Sequence, residues 1–149
     1  MPLNPDFVGR SYPAGETYLV SRERIRAFAD AIGDPNPAYR DIAASQALGH
    51  ADIVAPPTFA IVLALQASTQ VAHDSELGLD YTRVVHGEQR FAHVRPIVAG
   101  DELVAVTTVE SIREAAGNDM ITTRVDISTS AGEPVCTAHS LLVSRGAQA

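Results

Sequence analysis

Residues 53–71 form the stretch around which the hydrophobic pattern of the chain is organised. Between Pro57 and His73 this stretch contains neither a charge nor a helix breaker, and Thr58 stands where it would cap a first turn. Its apolar positions run most of the way round a helix, which predicts a helix enclosed on most sides. The small residues of this helix share one face, where a sheet can approach closely: Ala60, Ala64, Ala67 and Ser68. The stretch is shorter than the ~20 residues that a bilayer span needs, so we expect no membrane partner.

Two shorter helices are expected before this one. Apolar residues recur at three- and four-residue spacing within residues 21–33, with Ser21 as the capping residue and Gly33 as the end. Asp41 is placed to cap a second helix that runs to Leu48. Between the two helices lies a loop that two prolines, a glycine and Asp or Asn residues keep out of regular structure.

The second half of the chain predicts an antiparallel sheet. Alternating runs occupy residues 84–94, 102–113, 120–130 and 134–144. Short glycine-bearing turns at residues 99–101, 115–119 and 130–133 separate these runs, as hairpins require. The predicted fold class is therefore α+β, with residues 1–149 as one domain in which an antiparallel sheet wraps around a long central helix. This arrangement is the hotdog fold. Its open sheet edge favours pairing of two protomers.

Composition excludes several classes of function. A formal net charge of −7 and a pI near 5.1 argue against binding to nucleic acid or to an anionic membrane surface. A single cysteine, Cys136, excludes an internal disulfide and a cysteine-based zinc cluster, and its alternating apolar surroundings predict a buried side chain. The first residues lack the pattern of an export signal, so a cytoplasmic location is expected.

The loop at residues 33–39, GDPNPAY, is the most unusual local sequence. Prolines at positions 35 and 37 fix two φ angles and hold Asp34, Asn36 and Tyr39 in defined directions, as catalysis requires. The alternative, which composition alone favours, is that Asp34 and Asn36 only accept hydrogen bonds from backbone amides in Asx-turns.

Two segments of the chain resemble the MaoC-like (R)-specific enoyl-thioester hydratases and dehydratases. Residues 28–41 contain the Gly-Asp-x-Asn-Pro core of that family's signature loop. Residues 87–103 contain Gln89, Phe91, Arg95-Pro96 and a Gly-Asp-Glu turn, as the family does after its central helix. The chain is most similar to the small single-hotdog subunits of bacterial 3-hydroxyacyl carrier-protein dehydratases, including the heterodimeric mycolic-acid type.

This resemblance implies a reaction and a set of residues. In the family, an aspartate and a histidine five residues later activate water and protonate the α-carbon of a 2-enoyl thioester, or catalyse the reverse elimination. Asp34 matches the aspartate and Asn36 the asparagine that helps to fix the site, but Tyr39 stands at the histidine position. A phenol would need its pKa lowered by about three units, roughly 4 kcal/mol, to act as a base at neutral pH. Tyr39 is therefore expected to donate a hydrogen bond or to act as an acid.

A second departure concerns the oxyanion site, which the family builds from a backbone N–H at the start of its central helix. The corresponding residues here are Ala55-Pro56-Pro57, and proline has no N–H. The thioester oxygen would then bind the amide of Thr58 or Phe59, or the Thr58 hydroxyl, near the positive end of the helix. The resemblance implies five substrate-binding residues: Pro57, Thr58, Phe59, Gln89 and Arg95.

Other polar residues are weaker candidates. His86 is the best replacement for the missing histidine, although a structural or solvated role is the commoner one for a histidine at a strand end. His50 is a poorer candidate, and His93 and His139 are expected to be half-exposed sheet residues. A local basic set, Arg83, Arg90 and Arg95, would receive coenzyme A phosphates or the acidic face of a carrier protein. The alternative, which is the commoner role for such residues, is that they are solvated charges at a sheet edge. No metal site or cofactor is expected.

Two hypotheses follow from the sequence. The first is a dimeric dehydratase or hydratase that interconverts (R)-3-hydroxyacyl and trans-2-enoyl thioesters of CoA or acyl carrier protein, with Asp34 as its main catalytic group. The second is a non-catalytic acyl-binding subunit that pairs with a related hotdog chain carrying the missing histidine. A thioesterase of the same fold is disfavoured, because the central helix carries no carboxylate between residues 58 and 71.

Overall fold

A computed structural model describes residues 2–146. Three α-helices lie in this part of the chain: α1 (Arg22–Ala31), α2 (Ile42–Ala47) and α3 (Ile61–Ala72). Single 3₁₀ turns are present at Pro5–Phe7, Pro37–Tyr39, Pro57–Ala60 and Tyr81–Arg83. The two predicted caps are confirmed, since Ser21 accepts a hydrogen bond from the Arg24 amide and Asp41 accepts one from the Ala44 amide.

The strands form one antiparallel sheet of six. They are β1 (Ser11–Tyr12), β2 (Tyr18–Leu19), β3 (Val84–His93), β4 (Glu102–Ala115), β5 (Asn118–Thr129) and β6 (Pro134–Ser144). The order across the sheet is β1-β4-β5-β6-β3, and β2 also pairs with β4. The sheet is built from hairpins of consecutive long strands, and β3 joins it as an edge strand beside β6. The predicted hotdog fold is confirmed: an α+β domain with a long helix packed on an antiparallel sheet.

Helix α3 packs its small-residue face against the sheet. Ala60, Ala64 and Ala67 are buried, as the spacing predicts, whereas Ser68 of the predicted face is only half-buried. Leu63 and Val71 are buried as well. Phe59, in the turn before α3, is fully buried and meets the Phe28 ring edge-on, with 5.4 Å between ring centroids. The main core therefore joins α1, the start of α3 and the inner face of the sheet.

Two expectations about the central helix are wrong for the single chain. The helix is not enclosed on most sides, because one sheet covers one side only and leaves Leu65 53% exposed. Thr58 does not cap the helix: the chain enters a 3₁₀ turn at Pro57, and neither this turn nor α3 has a side-chain cap. The residue ahead of the turn is Pro56, whose side chain cannot accept a hydrogen bond.

A bulge in β3 sets which of its residues face α3. His86 pairs with Leu142 on β6, whereas Glu88 pairs with the next residue back, so Gly87 is the extra residue. Because side chains alternate along a strand, this insertion turns Gln89 toward the helix side and Glu88 away from it. Without the bulge, a carboxylate would face the core.

The connection between β3 and β4 is held by a bidentate ion pair. Arg95 donates to both carboxylate oxygens of Asp101 at 2.9 and 3.0 Å, and Asp101 also accepts from the Val98 amide at 2.9 Å. Arg95 donates further to Glu133 at 2.8 Å. These neighbouring carboxylates raise the pKa of Arg95 above its ordinary value. The Arg95 side chain, which was predicted to bind substrate, therefore stabilises the connection between β3 and β4.

Asp101→Asn should destabilise the protein by about 2 kcal/mol, because it breaks a half-buried bidentate pair and leaves Arg95 without its main partner. Urea unfolding measures the loss. Asp126→Asn is the matched control, since the Asp126 side chain is 50% exposed in its pair with Arg124 and should contribute only about 0.5 kcal/mol. Equal losses for the two variants would contradict the proposed role of Asp101.

Candidate functional site

The Gly33–Tyr39 loop is organised by its own polar side chains. Gly33 adopts φ 71°, a conformation that favours glycine, and ends α1. The Asp34 carboxylate accepts from the Asn36 amide at 3.0 Å, and the Asn36 side chain accepts from the Ala38 amide at 3.0 Å. These are the Asx-turns of the alternative interpretation. The hydrogen bonds of Asp34 and Asn36 are structural ones.

The loop borders a cavity of about 440 Å³ at the start of the central helix. Three segments complete the wall: residues 48–50 after α2, residues 54–57 before α3, and residues 93–97 after β3. The polar lining residues are Asn36, Tyr39, His50, His93 and Arg95. Asp34 does not line this cavity. The structure therefore brings Asn36, Tyr39, Pro57 and Arg95 of the predicted site to one cavity.

Tyr39 has the wrong electrostatic environment for a base. Burial, and secondly the negative charge of Asp34, raise the pKa of Tyr39 above its ordinary value of 10.0. Proton abstraction at neutral pH would require a shift in the opposite direction. The phenol stays protonated and can act only as a hydrogen-bond donor or acid.

The amides at the start of the central helix differ in availability. The Phe59 amide donates to the Pro56 carbonyl at 2.9 Å, so it is engaged within the turn. The Thr58 amide has no hydrogen-bond acceptor among residues 2–146. Of the two predicted oxyanion donors, only Thr58 retains a free N–H in the described structure.

The remaining predicted binding residues lie in the framework of the fold. Phe59 is 1% exposed and belongs to the core. The Gln89 side-chain carbonyl accepts from the Ser140 hydroxyl at 2.6 Å, away from the 440 Å³ cavity. A role in contacting substrate at that cavity has no geometric support for either side chain.

His86 does not line the 440 Å³ cavity. Its Nε2 is 3.0 Å from the Glu88 carbonyl, to which it can donate, and its ring lines a second cavity of about 340 Å³ beside the later turns of α3. The two cavities share no lining residue. Within one chain, His86 is therefore not brought together with Tyr39 or Asn36.

Two histidines that the sequence ranked low do line the first cavity. His93 lies with its Nε2 2.8 Å from the Pro57 carbonyl, and His50 precedes the segment that leads to Pro57. His93 was expected to be half-exposed on the sheet, whereas it is exposed at the end of β3. The available sequence signal was its position four residues after Gln89, which places both on the helix side of β3.

Other chemistry finds little support in the described structure. Among residues 2–146, no group of three or more His, Cys, Asp or Glu side chains could hold a metal ion. Burial raises the pKa of the Cys136 thiol to about 11, which makes this buried cysteine a poor nucleophile. In the same range of residues, no helix combines the length and apolar character needed to cross a bilayer.

Comparison with known proteins identifies the family. Residues 6–138 match the family model described as FAS1-like, dehydratase domain region. The chain belongs to this dehydratase family. A UPF0336 protein of Streptomyces avermitilis is 53% identical over 148 residues, covering 99% of both chains.

Solved structures of the same family are also similar. A MaoC-like dehydratase superposes with a TM-score of 0.87 at 37% identity; the match covers 95% of this chain and 43% of that larger one. A chain of the Mycobacterium tuberculosis HadBC (3R-hydroxyacyl-ACP dehydratase) complex gives 0.85 at 31% identity, covering 95% of this chain and 99% of that one. The resemblance seen in the sequence is thereby confirmed, and its dehydratase-type character follows from the family.

Asp34→Asn should lower the pKa of Tyr39 without returning it to 10.0, because the nearby charge is removed while burial, the larger cause, remains. Tyrosinate absorbance followed against pH measures the shift, and Tyr39→Phe identifies the transition. Since the folded-state pKa is the higher one, the contribution of Tyr39 to stability is complete below about pH 10 and falls as the pH rises further. An unchanged Tyr39 transition in Asp34→Asn would contradict the contact.

Proposed function

We propose that this chain is the acyl-thioester-binding subunit of a heterodimeric (R)-3-hydroxyacyl-thioester dehydratase. It provides a cavity for CoA or acyl carrier protein thioesters, and a related hotdog chain provides the acid–base groups. The observation that carries the proposal is the state of the loop: Asp34 accepts from the Asn36 amide with one oxygen and does not line the cavity, and the residue five positions later is a phenol with a raised pKa.

The chemistry of hydration explains why this observation matters. Adding water to a 2-enoyl thioester requires a group that accepts a proton from water near neutral pH. Tyr39 cannot do so, and the loop contains no imidazole. His93 and His50 also line the cavity, but neither stands at the family's histidine position five residues after Asp34, and His93 has its Nε2 at the Pro57 carbonyl. We therefore assign the proton acceptor to the partner chain.

What this chain retains is suited to binding. The cavity wall is largely apolar, and Leu48 and Val94 at its edge are 66% and 70% exposed. Thr58 does not itself line the cavity, but it directly follows the lining residue Pro57, and its amide has no acceptor in the described structure. At the start of the central helix, the positive end of the helix dipole favours a thioester oxygen with developing negative charge. We assign Thr58 the role of hydrogen-bond donor to that oxygen.

A partner of the same fold is favoured by two features. Strand β3 is an edge of the sheet, with a row of backbone groups available for pairing, and the adjacent face of α3 leaves Leu65 exposed. The similar HadBC structure is itself a complex of two different subunits. A homodimer remains the alternative that the following experiment excludes or supports.

The purified chain alone should not hydrate crotonyl-CoA or longer enoyl thioesters, and activity should appear when a related hotdog chain is co-purified with it. Loss of the enoyl absorbance band measures turnover. In the active complex, Asp34→Asn in this chain should change kcat/KM by less than about threefold, whereas removal of a general acid–base group costs about 10²–10⁴-fold. The substitution keeps an oxygen to accept from the Asn36 amide, so the loop should stay folded.

Activity of the chain alone that Asp34→Asn abolishes would instead establish the first hypothesis, a self-sufficient enzyme. Activity of the chain alone that Asp34→Asn leaves intact would contradict both hypotheses about Asp34 and the missing base.

Val94→Trp should raise the KM of the complex for enoyl thioesters about tenfold, with little change in kcat, because a larger side chain would obstruct the edge of the cavity. Leu19→Trp is the control: Leu19 is also largely exposed, at 62%, but lies on β2 and lines none of the described cavities. Equal KM values for the two variants would contradict binding at this cavity.

A further inference from the structure

The second cavity has features that the proposed reaction does not use. It lies between the open face of α3 and strands β3, β5 and β6, and has a volume of about 340 Å³. Its wall combines apolar side chains, among them Leu65 and Leu142, with the hydroxyls of Ser68, Thr123 and Ser140. A wall of this kind fits a ligand that is mostly apolar but carries a polar group.

The hydroxyls on the sheet side belong to a polar row, which we define as Gln89, Ser140 and Thr123. Gln89 pairs with Ser140 across β3 and β6, and Ser140 pairs with Thr123 across β6 and β5. Direct cross-strand neighbours point to the same face, so the row crosses three strands beneath the cavity. The Gly87 bulge brings Gln89 into this row in place of Glu88.

Part of the polar row has no hydrogen-bond partner in the described structure. Ser140 donates to the Gln89 carbonyl oxygen at 2.6 Å, but the Gln89 amide nitrogen is buried without an acceptor. The Thr123 hydroxyl is also buried without a partner, on a residue that is 1% exposed and lines the cavity. The hydroxyls of Tyr18 and Thr107 are also buried without a partner, but neither residue lines this cavity. Because an unpaired buried polar group costs about 1–3 kcal/mol, the place of Thr123 in the cavity wall points to a ligand that pairs with its hydroxyl.

We propose that the second cavity binds an acyl chain that carries an oxygen substituent along its length, with Thr123 as the residue that recognises the oxygen. A hydroxyl or carbonyl oxygen on the chain would accept from the Thr123 hydroxyl, while its methylene groups pack against Ala72 and Leu142. The inference rests on the proposed function, since it names the class of acyl group that the binding subunit selects.

The position of the cavity favours the acyl chain over the thioester arm. The first cavity begins at Pro57, before α3, whereas the second is lined by residues 65–72 of the later turns. Eleven residues from Pro57 to Ser68 correspond to about 16 Å along a helix. A thioester held at the start of the helix would direct a long acyl chain, not its carrier, toward the polar row.

The test is a comparison of stearic acid with mid-chain hydroxystearic acids, measured by calorimetry on the protein together with any hotdog partner that co-purifies. The wild type should bind at least one hydroxystearic acid about fivefold more tightly than stearic acid, as expected for one added hydrogen bond. Thr123→Val, which keeps the side-chain shape, should remove this preference and leave the affinity for stearic acid unchanged.

Thr122→Val is the matched control, because it makes the same change one residue away on the opposite face of β5. This variant should keep the preference. Since Thr123→Val removes an unpaired buried hydroxyl, its Tm should be no lower than that of the wild type, which separates lost recognition from lost folding.

Each remaining outcome has a defined meaning. No preference in the wild type, or a preference that Thr123→Val retains, would overturn the inference. A clear fall in the Tm of Thr123→Val would also overturn it, by assigning the hydroxyl to an internal contact or to the partner subunit. Turnover of unsubstituted enoyl thioesters by the complex is measured separately, so the proposed function can stand or fall independently of this result.

Discussion

The structure depends on the burial of one apolar helix by a sheet that is too small to cover it. Helix α3 offers Ala64 and Ala67 to the sheet, and the close approach that these small side chains allow lets the core fill with Leu63 and Phe59. One chain covers one side of such a helix, and the other side stays open with Leu65 exposed. Both cavities lie along that helix, at its start and beside its later turns. Their location follows from this incomplete coverage of the helix, which also motivates the proposed pairing with a second hotdog chain.

Local sequence rules were sufficient for most of the architecture because they act over short distances. Alternation along β5 predicted its buried face correctly, with Ile121, Val125 and Ile127 inside, and the Ser21 and Asp41 caps fixed the starts of two helices. Features that depend on distant partners were not accessible in this way. The openness of α3 reflects how far the sheet extends, and the register shift at Gly87 reflects pairing with β6, more than fifty residues later in the chain. The hydrophobic periodicity of a single segment predicts neither the openness of α3 nor the register shift at Gly87.

The hydrogen bonds of the candidate site could not be predicted from the sequence either. The GDPNP loop could be recognised from sequence as rigid and as family-like, but recognition of a motif does not reveal which bonds its side chains make. One oxygen of Asp34 and the side-chain oxygen of Asn36 accept hydrogen bonds from amides of the loop itself. Burial in the folded chain raises the pKa of Tyr39. The loop has the signature sequence of the family, but Tyr39 stands where the family has a histidine. His93 was underrated for the converse reason, since its relation to the Pro57 carbonyl exists only once β3 lies beside the start of α3.

A chain that takes its catalytic base from a partner, as we propose here, can still determine which substrate reacts. If a partner provides the acid–base groups, natural selection on this chain acts on the shape and polarity of its acyl-binding surfaces. The polar residues of its loop then need only to hold the loop in its conformation. The polar row is consistent with that division, because a bulge that turns Gln89 inward, and a threonine buried without a partner, both carry a cost in stability. The neighbouring row, in which Val125 pairs with Ala138 and with Thr107, also contains a buried hydroxyl without a partner, but Thr107 does not line either cavity. Thr123 differs from Thr107 in that its residue lines a cavity, and this position argues that the inner face of the sheet serves recognition there as well as packing.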